Sequence, residues 1–156
     1  MKNYTSEVPV SRTIARIEEL LAKAKIRNIL KDYEGEQVVA LYFTLPNPKK
    51  PDESIPVRLP VNIEAVYSVL RLGYSERTKF TTERTRRLMD QARRTAWKLV
   101  QDWVEIQLSL IELGQVVALQ VFLPYVWFGD ATYYQRLEAK AFAALLPAHE
   151  TLRGQA

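Results

Sequence analysis

The sequence contains no cysteine. Disulfides, thiolate metal sites and thiol nucleophiles are therefore excluded. Its single histidine, His149, lies in a proline- and glycine-containing tail. Neither a histidine-dependent triad nor a multi-histidine metal site is expected. Only five glycines occur, none of them clustered, and there is no Walker A loop, dinucleotide fingerprint or nucleophile elbow. No apolar run approaches the roughly 20 residues of a membrane span, and the N-terminus lacks a signal-peptide core. A soluble, cytoplasmic protein without membrane association is the expectation.

What is present is ordinary globular composition, with 47% apolar and 26% charged residues in a chain of 156. That length fits one domain burying roughly 70% of its unfolded surface. Residues 1–146 read as this domain and 147–156 as a flexible tail. The net charge of +4 is distributed unevenly. Residues 71–98 carry nine cations against three carboxylates, a net of +6, whereas residues 99–156 carry three against six, a net of −3. Residues 1–70 supply the remaining +1. The basic block points to a polyanion.

Apolar spacing predicts a first helix over 11–24, with Ser11 as a candidate cap and Ile14, Ile17, Leu20 and Leu21 inward. Two strands, 26–33 and 37–45, flank the turn Glu34-Gly35-Glu36. In the second strand Val39, Leu41, Phe43 and Leu45 share one face, and Val38, Ala40, Tyr42 and Thr44 the other. A proline-stiffened loop with Lys49 and Lys50 leads to a third strand, 55–59, with Arg58 on the less apolar face. Asn62 caps a helix to about Leu72, ended by Gly73. The expected architecture is α+β, a small three-stranded antiparallel sheet packed on helices.

Thr81 or Thr82 opens the longest helix, which runs about 32 residues to Gly114. Leu88, Ala92, Thr95, Leu99, Trp103, Ile106, Leu110 and Leu113 form its expected core stripe, with Val100, Val104 and Ile111 on a second. The first half should lie near the domain edge. A short helix over 115–123 and a last one over 131–145 complete the chain.

Asp102, Glu105 and Glu112 are carboxylates at helical spacing but share the polar outer face of the long helix. A metal-carboxylate or two-acid site needs such groups facing one another. The reading is therefore non-enzymatic, with no metal and no cofactor. Arg84, Arg87, Arg94 and Lys98 fall within about 80° of the helix wheel, with Gln91 among them. All can donate to phosphate oxygens. Arginines in the first turns also oppose the helix dipole unless an anion binds there or Glu83 and Asp90 pair with them. Tyr74, Arg77, Lys79 and Phe80 precede this stripe, and Tyr42 and Arg58 share a sheet face beside the Lys49-Lys50 loop. Basic grooves with aromatic platforms characterise single-strand binders. Arg84, Arg87, Arg94, Lys98, Arg58, Lys49, Lys50, Arg77 and Lys79 would contact phosphates, and Tyr42, Tyr74 and Phe80 would stack bases.

Trp97, Trp103, Tyr125, Trp127 and Phe128 read as core or interface. The apolar segment 122–128 must pack on its own domain or on a second copy, and a homo-oligomer contact is expected there. Arginine outnumbers lysine 13 to 9, as is compatible with a thermostable protein.

The run Val8-Pro9-Val10, then Leu59-Pro60-Val61-Asn62, Trp97, Asp102-Trp103, Gln107-Leu108, Ile111-Glu112 and Phe122-Leu123-Pro124-Tyr125 resembles a family of small uncharacterised phage- and prophage-type proteins. The likeness spans roughly residues 4–128. It implies a setting in phage DNA metabolism, in the host cytoplasm, and single-stranded DNA binding among relatives from hot environments. It implies no binding residues. The order of strands and long helix also resembles the core of phage strand-annealing proteins, an analogy of fold alone. The expected function is sequence-independent binding of single-stranded DNA by a homo-oligomer, with RNA not distinguished. The alternative is an adaptor docking on a host or phage DNA-metabolism enzyme.

Overall fold

The computed structural model describes residues 6–147; His149 and the remainder of the expected tail lie outside them. The order is α1 (Val10–Lys23), β1 (Arg27–Glu34), β2 (Gln37–Pro46), β3 (Ser54–Arg58), α2 (Ile63–Arg71), α3 (Thr82–Glu112), α4 (Ala118–Phe122) and α5 (Tyr133–Ala139). Antiparallel pairing in the order β1-β2-β3 makes the sheet. The fold is α+β, as the alternation of apolar residues requires.

The core lies between one sheet face and the helices. Ile14, Ile17 and Leu21 of α1 meet Leu41, Phe43 and Leu45 of β2, Val57 and Leu59, and Trp97, Val100 and Val104 of α3. Both α1 and α2 pack along α3. Asn62 Oδ1 accepts from Ala65 N–H at 3.0 Å, and Thr81 Oγ1 accepts from Arg84 N–H at 3.1 Å. These contacts fix where α2 and α3 begin. At the far end Gly114 takes φ +72°, and Gln115 N–H donates back to Leu110 O at 3.0 Å. This left-handed stop satisfies carbonyls that the helix would otherwise leave open.

Two irregularities shape the sheet. Arg27 faces Thr44 but Leu30 faces Tyr42, so β1 carries an extra residue. Asn28 takes it up at φ 56° and donates from Nδ2 to Thr44 Oγ1 at 2.9 Å. Further on, Asp32 faces Ala40 but Tyr33 faces Val38, so β2 carries an extra residue there. Beyond this bulge the alternation reverses. Val38 packs on the core, while Val39 lines a cleft with Arg58 and Met89. The simple face assignment of these two valines is thus corrected.

The stripe expected on α3 holds only in its first half. Leu88, Ala92 and Thr95 are buried, but the buried set then moves to Ala96, Val100, Val104 and Leu108. Ile106 and Leu113 are 55% and 73% exposed. Steps of four advance about 40° per step around the wheel, so the inner face rotates as α3 passes from α2 towards the middle of α1. Trp103 is half-buried, edge-on to Phe122 and Tyr125 with ring centroids 5.7 and 5.4 Å apart.

The C-terminal elements are shorter than expected. α4 begins only at Ala118, and α5 ends at Ala139 because Ala141 and Phe142 adopt positive φ. The segment 122–128 is used within the domain. Phe122 is fully buried against Phe43 at 5.1 Å. Val126 bridges Val57 and Trp127 N–H donates to Pro56 O at 2.8 Å, covering the outer edge of β3. No helix of the described residues is long and apolar enough to cross a membrane.

Candidate nucleic-acid interface

The loop between α2 and α3 folds back so that its aromatics stand beside the basic end of α3. Tyr74 meets Phe80 edge-on at 5.4 Å, and Arg71 places its guanidinium 4.5 Å from the centre of the Phe80 ring. Phe80 is thereby an underlay held from two sides, with Tyr74, 44% exposed, on its outer side. Across a groove of about 580 Å³ stand Arg84, Arg87, Gln91 and Arg94. Glu83 and Asp90 also line it. The structure therefore brings together Tyr74, Phe80, Arg84, Arg87 and Arg94, which are distant in sequence only through the short linker.

The cations of this groove have different freedom. Arg84 Nη1 donates to Lys79 O at 2.7 Å, tying the loop to the helix. The Arg87 side chain is 76% exposed and ion-paired with Glu83 at 3.0 Å. Arg86 claims the same carboxylate at 2.8 Å and reaches Asp90 at 3.4 Å. Hydrogen bonds and charge from Arg86, then Arg87, hold the Glu83 carboxyl below its usual range. Arg94 donates from Nε to Ser6 O at 3.0 Å and from Nη2 to Gln91 Oε1 at 2.8 Å. Gln91 also donates to Ser6 O, at 3.1 Å. Arg94 and Gln91 thus anchor the approach to α1 as well as lining the groove. Lys98 pairs with Asp102 at 3.3 Å and is only 24% exposed, so its charge is largely spent within the helix.

A second aromatic cluster lies on the outer sheet face. Arg58 stands opposite Tyr42, and its guanidinium lies 5.0 Å from the Trp127 ring centre and 5.8 Å from that of Tyr42. The two rings are 5.8 Å apart. Burial raises the Tyr42 phenol above its ordinary value, against the pull of Arg58. The pairing of Tyr42 with Arg58 was legible from strand alternation. The addition of Trp127 was not, since it depends on the Val57–Val126 bridge 69 residues apart in sequence.

Lys49 and Lys50 sit elsewhere. Their loop joins the ends of β2 and β3 remote from the Glu34–Gln37 turn, beside which Asp90 and Arg93 of α3 lie. Lys50 pairs with Glu53 at 3.3 Å. Arg77 and Lys79 are exposed on the α2–α3 loop. Eleven of the twelve candidate residues thus fall into three places, the α3 groove with its loop, the sheet cluster and the distal lysine tip, while Lys98 lies further along α3 and does not line the groove.

Comparison with known protein families, curated proteins and solved structures finds no match. The site is therefore read from its own chemistry. Another cleft, of about 620 Å³, lies between α1 and the β1–β2 turn. It balances Lys31, Arg93 and Arg94 against Glu18, Glu36 and Asp90, so it offers no net attraction to an anion. Asp102 lies beside Lys98, and Glu105 accepts from Arg16 at 3.4 Å. Among the described residues no group of three or more histidines or carboxylates is placed to hold a metal ion.

Proposed function

We propose that this chain binds single-stranded DNA without sequence preference, at the groove between Tyr74 and the N-terminal half of α3. The observation that carries this reading is the juxtaposition of a buttressed, exposed tyrosine with Arg84, Arg87 and Arg94 across a polar groove. A base stacks on Tyr74 while the neighbouring phosphates take the guanidinium donors. Guanidinium donors to phosphate and stacking on Tyr74 act on any base, so binding without sequence preference is expected. A duplex keeps its bases in the stack and cannot use Tyr74, so the single strand is preferred.

Arg58, Tyr42 and Trp127 are a further station for a longer strand, and Arg77, Lys79, Lys49 and Lys50 contribute at longer range. A phage or mobile-element setting belongs to the same proposal. No group here reads a 2′-hydroxyl, so RNA of the same length competes. The test is fluorescence anisotropy of a labelled single strand of about 30 nucleotides against the matched duplex at two salt concentrations. Strand-preferring, salt-sensitive binding is expected. Equal affinity for strand and duplex, or no binding at low salt, overturns the reading. The adaptor reading has one observation in its favour, the exposed apolar face on the second half of α3.

A further inference from the structure

The outer face of the sheet carries a row of side chains that the core does not use. Leu30 of β1 stands opposite Tyr42 of β2, and Tyr42 opposite Arg58 of β3. Directly opposed residues of antiparallel strands project to the same side, and Leu41 and Phe43, which flank Tyr42 in sequence, project into the core. The core helices therefore pack behind this row. The bridge between Val57 and Val126 adds Trp127 at the β3 end. From β1 outward the order is thus apolar, aromatic, cationic, aromatic. Leu30 is 60% exposed, and Tyr42, Arg58 and Trp127 are half-buried.

The state of Arg58 indicates what this row takes. Arg87, Arg93 and Lys98 are each paired with a carboxylate. Arg58 makes no ion pair among the described residues, although Glu138 shares a cleft with it. Its guanidinium lies 5.0 Å from the Trp127 ring centre and 5.8 Å from that of Tyr42. The Tyr42 hydroxyl stands between Asp32 and Arg58. A half-buried guanidinium without a carboxylate keeps donors for an incoming anion. The two rings beside it offer stacking surface. A phosphate with its adjoining bases satisfies both, whereas a neutral sugar stacks on the rings and leaves the charge unanswered. We infer that the row Leu30, Tyr42, Arg58 and Trp127 is a single-strand site in its own right, which holds a phosphate at Arg58 and the adjoining bases on Tyr42 and Trp127 without help from the Tyr74 groove. This site rests on the single-strand reading given above, but not on the assignment of the groove.

A cleft of about 460 Å³ is lined by Arg58, Val39, Met89 and, on α3, Arg93. Arg93 pairs at 2.9 Å with Asp90, which lines the Tyr74 groove. The row and the groove are thus joined around α3. Glu34 and Glu64 balance Arg58 and Arg93 along this cleft, so it connects the two sites without being a third. A long strand occupying both gains avidity, whereas a short one occupies the row alone.

The full-length protein is titrated with unlabelled oligothymidylate of about six nucleotides, short enough for one site, while tryptophan emission is followed. Trp97 is fully buried and Trp103 packs edge-on to Phe122 and Tyr125, so stacking on the row is reported by Trp127. Saturable quenching is expected, and is expected to be absent in Trp127→Phe. Arg58→Gln and Tyr42→Leu should each weaken it about tenfold, the second serving should the first fail to fold in a circular-dichroism melt. Arg84→Ala with Arg87→Ala should leave its midpoint within about twofold. Quenching that disappears with the groove arginines overturns the proposal. Absent quenching, while a strand of about 30 nucleotides still binds by anisotropy, overturns this site and leaves the groove reading intact. Quenching by a neutral glucan oligosaccharide but not by the thymidylate overturns it as well. Quenching retained when the groove arginines prove irrelevant to the long strand supports this site and removes the groove. No binding of either strand overturns both readings.

Discussion

Replacing Arg84 and Arg87 together by alanine tests the groove and costs the fold the exposed hydrogen bond from Arg84 to Lys79 O. Both side chains are exposed, and Arg87 leaves Glu83 still paired with Arg86. The cost to stability should stay within about half a kcal/mol. Arg94 is unsuited to this test because it also holds Ser6 and Gln91. Each phosphate contact on a single strand contributes about 0.7 to the slope of log affinity against log salt. Losing two contacts therefore flattens the slope by about 1.4. A fourfold rise in salt, from 50 to 200 mM, should then weaken the double variant about sevenfold less than the parent. Anisotropy titrations of a fluorescent single strand at four or more salt concentrations measure both slopes. A double variant with weaker binding but the parent slope would refute the assignment of these arginines to phosphates. Unchanged affinity and slope would remove the groove from the interface altogether.

Four further outcomes follow from the structure. Glu83→Gln frees Arg86 and Arg87 from their shared carboxylate, so single-strand affinity should rise several-fold and the salt slope should steepen; anisotropy shows whether it does. The stabilising contribution of Glu83 is present above the unfolded carboxyl pKa and is lost as pH falls through its lowered folded value, so the parent should approach the Glu83→Gln affinity only at pH below the ordinary carboxyl range, and a flat pH profile there counts against the clamp. Phe122→Ala empties a fully buried site between Phe43 and Trp103 and should cost about 3–5 kcal/mol in urea unfolding. Asn28→Gly should be better tolerated in thermal melts than Asn28→Ala, because the φ of 56° penalises a Cβ lacking the Asn28–Thr44 hydrogen bond.

Much of the fold was legible because its signals are local. Asn62 and Thr81 cap where short polar side chains precede apolar periodicity, and Gly35 turns the first hairpin at φ +60°. The errors are equally informative. The valine pair at 38 and 39 exchanged faces because one extra residue in β2 shifts the pleat, and no propensity announces that bulge. On the second half of α3 the second expected stripe, Val100, Val104 and Ile111, packs on the core and the first does not, because two apolar stripes compete there and only the position of α1 decides between them. Leu99, Ile106, Leu110 and Leu113 have the better spacing, yet Val100, Val104 and Leu108 face the core. At the candidate site the residue types and their neighbourhood were visible, and so was the Glu83 and Asp90 pairing as an alternative use of the arginines. The anchoring of Ser6 by Arg94 and Gln91 was not, since it joins residues about 85 positions apart.

The drifting inner face of α3 has a mechanical consequence. Leu88 and Ala92 grip the helix from one side, whereas Val104 and Leu108, further along, grip it from nearly the opposite side. A rod clamped in this way resists rolling about its axis, because any roll that eases one clamp drives side chains out of the other. Sliding by a turn is blocked for the same reason, since each clamp requires its own residues. Between the clamps Ala96, Trp97 and Val100 are themselves buried, so the middle of the helix is held as well. The arginines at one end and Ile106 and Leu113 towards the other are therefore two stations on one stiff rod, and keep their spacing and relative angle.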